Sequence, residues 1–196
     1  MTTFFLIRHA SCDGLGQTLW GRTPGIRLNE QGRLQAQRLA KRFEGMKFDK
    51  IYSSPLERAL ETAEPIARAM KLEVRKSDAL NEIDFGEWSG KTFEQLDSDE
   101  RWRHFNSCRS TASVPGGESF LEVQNRVVKE IDRLAHEHRD ARVAIVSHAD
   151  PIKAVIGYFA ATPIDLIQRF EISPCSVSVI TLDEEGPRIS RINADL

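Results

Sequence analysis

Two short runs of apolar residues constrain this chain more than any other feature. Phe4–Ile7 in "FFLIRHA" and Val143–Val146 in "VAIVSHA" are apolar at every position. A strand with one wet face alternates apolar and polar residues. A strand apolar throughout is covered on both faces, and such strands belong to sheets sandwiched between helices. Each run then stops abruptly at a histidine, His9 or His148.

The segments between the runs supply the covering layers. Leu56, Ala59, Leu60, Ala63, Ile66, Ala67 and Met70 line one side of a helix read from about Pro55 to Met70. Pro65 inside it predicts a kink near Glu61, whose carbonyl loses its donor. Asn29 can cap a helix to about Phe43, and a third helix is read from Ser119 to His138, with His136 and His138 facing solvent. Asp150 reads as an N-cap ahead of Pro151, and Thr162–Pro163 opens a further helix. Further strands are read at Lys50–Ser53 and around Leu72–Arg75, with an antiparallel pair, Val177–Leu182 and Arg188–Ile192, at the end. The region from Asp78 to Gly117 is irregular and rich in turn residues. Strands alternating with helices predict an α/β fold with a mostly parallel sheet and helices on both faces.

A chain of 196 residues suits one sizeable domain, here taken as residues 1–196. The net charge of −2 gives no global case for nucleic acid or an anionic membrane as partner. Cys12, Cys108 and Cys175 are three and widely spaced, which fits neither a disulfide framework nor a zinc site and points to a reducing, cytoplasmic setting. No basic-then-apolar leader is read at the start, and the longest apolar stretch falls far short of the ~20 residues that span a bilayer.

In sheets of this kind ligands bind beyond the carboxyl ends of the strands. Arg8, His9 and His148 fall there. Arg58 sits near the start of the most periodic helix, and helix N-termini favour anions. Arginine offers a planar fork for phosphate oxygens, and a neutral imidazole is a competent nucleophile. Phosphoryl transfer also needs a proton for the leaving oxygen. "LNEIDFGEWSG" offers Glu82, Asp84 and Glu87 for that task.

Five segments, "LIRHA", "GRTPGIRLNEQGRLQA", "IYSSPLERALETA", "LNEIDFGEWSG" and "VSHAD", resemble in order and spacing the motifs of the histidine phosphatase superfamily, the phosphoglycerate mutase-like proteins. The resemblance covers nearly the whole chain and is weakest over residues 92–115. It implies a three-layer α/β/α sandwich and a phosphomonoesterase that works through a phosphohistidine, with no metal or other cofactor. It implies His9 as the phosphorylated residue, Glu82 as proton donor and then base, and Arg8, Arg58 and His148 as the cage around the phosphate. It implies a variable segment, about 92–117, covering the site, and a small phosphorylated substrate; dimers are common among such proteins. "RWRH", 101–104, either contacts substrate or is an ordinary amphipathic turn.

Four positions depart from the family pattern. Ala10 follows the first histidine where glycine is usual, Leu15 stands where many members carry asparagine, Trp20 replaces a common hydroxyl residue, and Ala149–Asp150 follow the second histidine. Gln17 and Thr18 are the candidates to stand in for that asparagine. Two alternatives to hydrolysis follow: mutase-type transfer to a second hydroxyl, for which Arg101, Arg103 and Arg109 are the available cations, and a non-catalytic phosphate-binding domain.

Overall fold

The computed structural model describes residues 1–195. Its six strands are β1 (Thr2–Arg8), β2 (Lys50–Ser53), β3 (Val74–Lys76), β4 (Arg142–Ser147), β5 (Val177–Asp183) and β6 (Gly186–Ala194). Its α-helices are α1 (Glu30–Arg42), α2 (Glu57–Met70), α3 (Phe93–Asp97), α4 (Glu100–Ser107), α5 (Phe120–Glu137) and α6 (Ala149–Phe159). The strands form one sheet in the order β3-β2-β4-β1-β5-β6. β3, β2, β4 and β1 pair in parallel, and β5 runs antiparallel to both its neighbours. The mostly parallel sheet expected from the alternation of elements is the one observed.

Period-two geometry explains why the apolar runs have no polar positions. Phe4 and Leu6 of β1, with Val143 and Ile145 of β4, face one layer, which holds Val123, Val127, Ile131 and Leu134 of α5 and Ile152, Val155 and Ile156 of α6. Phe5 and Ile7, with Ala144 and Val146, face the other, which holds Leu39, Ala40 and Phe43 beside α1 and Ala59, Ala63, Ile66 and Ala67 of α2. Each fully buried Phe, Leu or Ile contributes about 1.5–3 kcal/mol. Both faces therefore hold the central strands, and the result is an α/β/α sandwich.

The helix ends follow their local chemistry. The Asn29 side chain accepts from the Gly32 N–H at 2.8 Å, and Ser119 with Glu122 closes a capping box on α5. α2 runs from Glu57 to Met70 through Pro65 without interruption. It ends at Lys71, whose φ of 55° is left-handed, and Leu72 then donates back to the Ala67 carbonyl. That turn uses up Leu72 and Glu73, so β3 begins at Val74, two residues later than its apolar content suggests. The 162–163 step opens a 3-10 helix, Ile164–Arg169, rather than an α-helix.

α6 starts earlier than expected. His148, not Asp150, occupies the N-cap position, and Pro151 is the third helical residue. Proline is tolerated there because first-turn N–H groups have no intrahelical partner. His138 departs from its expected exposure too. It caps α5 at the C-terminus with a side chain only 9% exposed, and its Nε2 lies 2.8 Å from the Tyr52 hydroxyl.

Register places the site. Arg8 pairs with Ser147 across β1 and β4, so His9 and His148 leave the sheet side by side. The His9 N–H donates to the Ser147 carbonyl at 2.9 Å. α2 enters from the same edge and delivers Arg58 in its first turn.

Candidate active site

A cavity of about 310 Å³ opens at this edge, bordered by Arg8, His9, Arg58 and Glu82. His148 is not on its surface. It is wholly buried beside His9, the ring centroids 5.1 Å apart and the planes at 60°. The five residues singled out in the sequence therefore gather in one place, four on the cavity and one behind it.

His9 is 4% exposed, and its Nδ1 lies 2.8 Å from the Ala10 carbonyl. A carbonyl only accepts, so Nδ1 carries the proton and Nε2 keeps its lone pair. Burial, then the charges of Arg58 and Arg8, hold the imidazole pKa well below its ordinary value, so the ring is neutral near pH 7.

Arg8 and Arg58 are caged by backbone. Arg8 Nη1 donates to the Ile172 carbonyl at 2.6 Å, and Arg58 Nη2 to the Gly21 carbonyl at 2.7 Å. Neither makes a carboxylate ion pair among the described residues. Arg8 Nε and Arg58 Nη1 are buried with no partner at all. An unsatisfied buried donor costs about 1–3 kcal/mol, more when charged. Two buried guanidiniums with donors to spare are an arrangement chemically suited to an anion's oxygens.

His148 completes the set. Its Nε2 is 2.9 Å from Ser54 Oγ, which donates to Asn81 Oδ1 at 2.8 Å. Its Nδ1 is buried and unpartnered. Burial first, then Arg58, His9 and Arg8, depress its pKa.

Glu82 stands apart from the other two acidic candidates. Asp84 Oδ1 accepts from the Gly86 N–H within its own turn, and Glu87 is exposed, 3.6 Å from Arg101. Neither borders the cavity. Glu82 does, and its backbone carbonyl is gripped by Arg22 Nε at 2.9 Å and Arg126 Nη2 at 3.0 Å. Both arginines share one carboxylate partner, Glu118. Burial, then the nearby Asp150 carboxylate, pushes the Glu82 carboxyl up to about 7. A group with that pKa both gives and takes a proton near neutrality.

Several functional positions escape sequence reasoning. Ser54 and Asn81 lie inside quoted motifs, but their bearing on His148 exists only in three dimensions. Asp150, read as a cap, borders the cavity, together with Arg109 and Lys153. Of "RWRH", Trp102 borders the cavity, and Arg101, Arg103 and His104 are exposed. Leu15, Thr18 and Trp20 border the cavity, whereas Gln17 does not. Cys12 also lies on it, buried, and burial raises its thiol pKa, which keeps it protonated.

Comparison with known proteins decides the family. The model of the histidine phosphatase superfamily (branch 1) matches residues 4–195. The chain belongs to the histidine phosphatase superfamily. It is 35% identical to phosphoserine phosphatase 1 of Hydrogenobacter thermophilus, over 98% of this chain and 92% of that one. It is 34% identical to a bifunctional protein of Mycobacterium tuberculosis over 72% of its length, and spans 39% of that longer protein. The structure of YhfR from Bacillus stearothermophilus superposes with a TM-score of 0.92 at 28% identity, covering 100% of this chain and 98% of that one. A putative α-ribazole-5′-P phosphatase from Escherichia coli superposes with a TM-score of 0.88 at 26% identity, covering 98% and 96%. This histidine phosphatase is an enzyme of the metal-independent kind. No helix among its described residues is long and apolar enough to cross a membrane.

Proposed function

We propose that the chain hydrolyses small phosphomonoesters, with His9 as nucleophile and Glu82 as proton carrier. The observation that carries the reading is the buried set of unsatisfied nitrogens, Arg8 Nε, Arg58 Nη1 and His148 Nδ1, around a neutral His9. A phosphate seated there supplies acceptors to both guanidiniums. His148 Nδ1 meets a phosphate oxygen once a proton lies between them, and the anion favours that proton.

His9 Nε2 attacks phosphorus in line with the leaving oxygen. The P–O bond to the leaving group breaks as the N–P bond forms, and Glu82 gives its proton to the departing alkoxide. Water then attacks the phosphohistidine, Glu82 takes the water's proton, and inorganic phosphate leaves with His9 restored. The Nδ1–H bond to Ala10 keeps the nucleophilic nitrogen aimed throughout. Arg8 and Arg58 spread the charge of the equatorial oxygens. Residues 92–117 cover the leaving-group side, and Phe93, Trp102, Asn106 and Arg109 are their contribution to the cavity wall.

The test is release of inorganic phosphate from p-nitrophenyl phosphate and a panel of phosphorylated metabolites. The His9→Ala protein is the blank. Turnover by the parent and none by the blank is expected. Equal turnover by both overturns the reading.

A further inference from the structure

Glu82 borders the cavity, yet its side chain has little of its own to hold it there. Among the described residues, its carboxyl hydrogen-bonds only to the next N–H along the chain, that of Ile83, at 3.0 Å. Where the carboxyl sits therefore follows where the Glu82 main chain sits. That main chain is fixed from outside the cavity. Arg126 reaches from α5 to the Ala79 carbonyl at 2.8 Å and to the Glu82 carbonyl at 3.0 Å, so it spans the segment that leads into Glu82. Arg22 joins it on the same Glu82 oxygen. Two guanidiniums crowded on one neutral oxygen repel each other. Glu118 offsets that repulsion. Its Oε2 accepts from Arg22 Nη2 at 2.7 Å and from Arg126 Nη2 at 3.0 Å, and its Oε1 accepts from Arg126 Nε at 3.0 Å. The same Oε2 takes the Asp84 N–H at 3.1 Å, and the Glu118 N–H donates back to the Asp84 carbonyl at 2.9 Å. Gly117 permits this approach, because a Cβ there would stand 2.1 Å from the Asp84 oxygen. Burial opposes ionisation of Glu118, but the Arg126 hydrogen bond and charge, with the Asp84 N–H and Arg22, outweigh it and hold the carboxyl below its usual range. None of Arg22, Glu118 and Arg126 borders the cavity.

We propose that Glu118 is a positioning residue for the proton transfer: it keeps Arg22 and Arg126 on the Glu82 carbonyl and so sets where the Glu82 carboxyl meets the leaving oxygen. The inference rests on the reading of Glu82 as proton carrier and adds the group that aims it. Glu118 itself touches neither phosphate nor leaving group. Removing its charge leaves the two arginines in mutual repulsion, and the carbonyl loses its grip. Proton transfer is steep in distance, and a displacement near 1 Å costs on the order of 100-fold in rate. Phosphate binding is assigned to Arg8, Arg58 and His148, whose own hydrogen bonds run to Ile172, Gly21 and Ser54 and not to this cluster. The effect of Glu118 should therefore fall on the leaving group and not on the phosphate.

The experiment measures kcat/KM for glycerol phosphate, whose leaving alkoxide needs a proton, and for p-nitrophenyl phosphate, whose phenolate does not. Glu118→Gln should cut the first by about 10–100-fold and the second by far less. Arg22→Met, at a partly exposed position, should show the same selectivity in smaller measure and stands in if Glu118→Gln folds poorly. The deciding measurement is the double variant. On a Glu82→Gln background, Glu118→Gln should cost nothing further, because no carboxyl is left to aim. A merely structural role gives a loss shared by both substrates and persisting in the double variant, and either result overturns the proposal. In that case p-nitrophenyl phosphate turnover by the parent, absent from His9→Ala, keeps the phosphatase reading standing. If Glu82→Gln alone slows both substrates equally, the proton-carrier reading falls and the proposal falls with it.

Discussion

His9 and His148 lie with ring centroids 5.1 Å apart at the ends of two parallel strands, and both imidazoles are held neutral by burial and by Arg58 and Arg8. In the proposed mechanism the two arginines that would hold the phosphate also join burial in keeping the His9 nucleophile unprotonated.

Glu82 gives the pH dependence. Its carboxyl, raised to about 7, must be protonated to serve a poor leaving group. kcat for an alkyl phosphate should fall as pH rises through and beyond 7, while an activated aryl phosphate, which needs no proton, stays flatter. Glu82→Gln should slow the alkyl substrate far more than the aryl one. An equal loss for both contradicts the proton-donor role.

The same shift enters stability. Between the unfolded value near 4.5 and the folded value near 7, the native state holds a proton that the unfolded chain has released. Stability therefore declines as pH rises through that window. Glu82→Gln should be more stable than the parent at pH 8 by up to about 3 kcal/mol, with the difference vanishing below pH 4.5. Denaturant melts at three pH values check this, and a constant difference argues against it.

Arg58 should be a burden in the empty protein. Its buried Nη1 has no partner. Arg58→Met should raise the melting temperature of the ligand-free protein, by about 1–2 kcal/mol in stability, and abolish any gain from inorganic phosphate. The parent should gain about 2.7 kcal/mol at a hundredfold excess of phosphate over its Kd. A phosphate shift that survives the substitution contradicts the cage.

Ser54 acts through His148. Ser54→Ala strands the buried Nε2, a loss of about 1–3 kcal/mol, and kcat/KM should drop roughly 10–100-fold with it. Ser54→Thr, which keeps the hydroxyl, should recover part of the activity. An undiminished kcat/KM in Ser54→Ala removes the serine from the account.

What could be read in advance follows the strength of each local signal. β1 and β4 were plain because both faces are buried, so no polar residue interrupts them. α2 was plain because its apolar stripe is unbroken. Asp150 was not, because a proline two residues into a helix and one at its start look alike in sequence. Only the backbone shows that His148 takes the cap position while its side chain turns to Ser54. His138 misled for a related reason: it sits one residue past the last helical position, where the chain swings its ring onto Tyr52. Ser54, Asn81 and Lys153 gain their meaning from neighbours 27 and more residues away or across a 3-10 turn, contacts no window along the chain contains.

Phosphate trapped on the protein is the most direct test. Brief exposure to an isotopically labelled phosphoryl donor, followed by alkaline quench, should leave one acid-labile, alkali-stable label per chain, on His9 and absent from His9→Ala. Label on another residue, or turnover of p-nitrophenyl phosphate by His9→Ala at the parent's rate, would contradict the account.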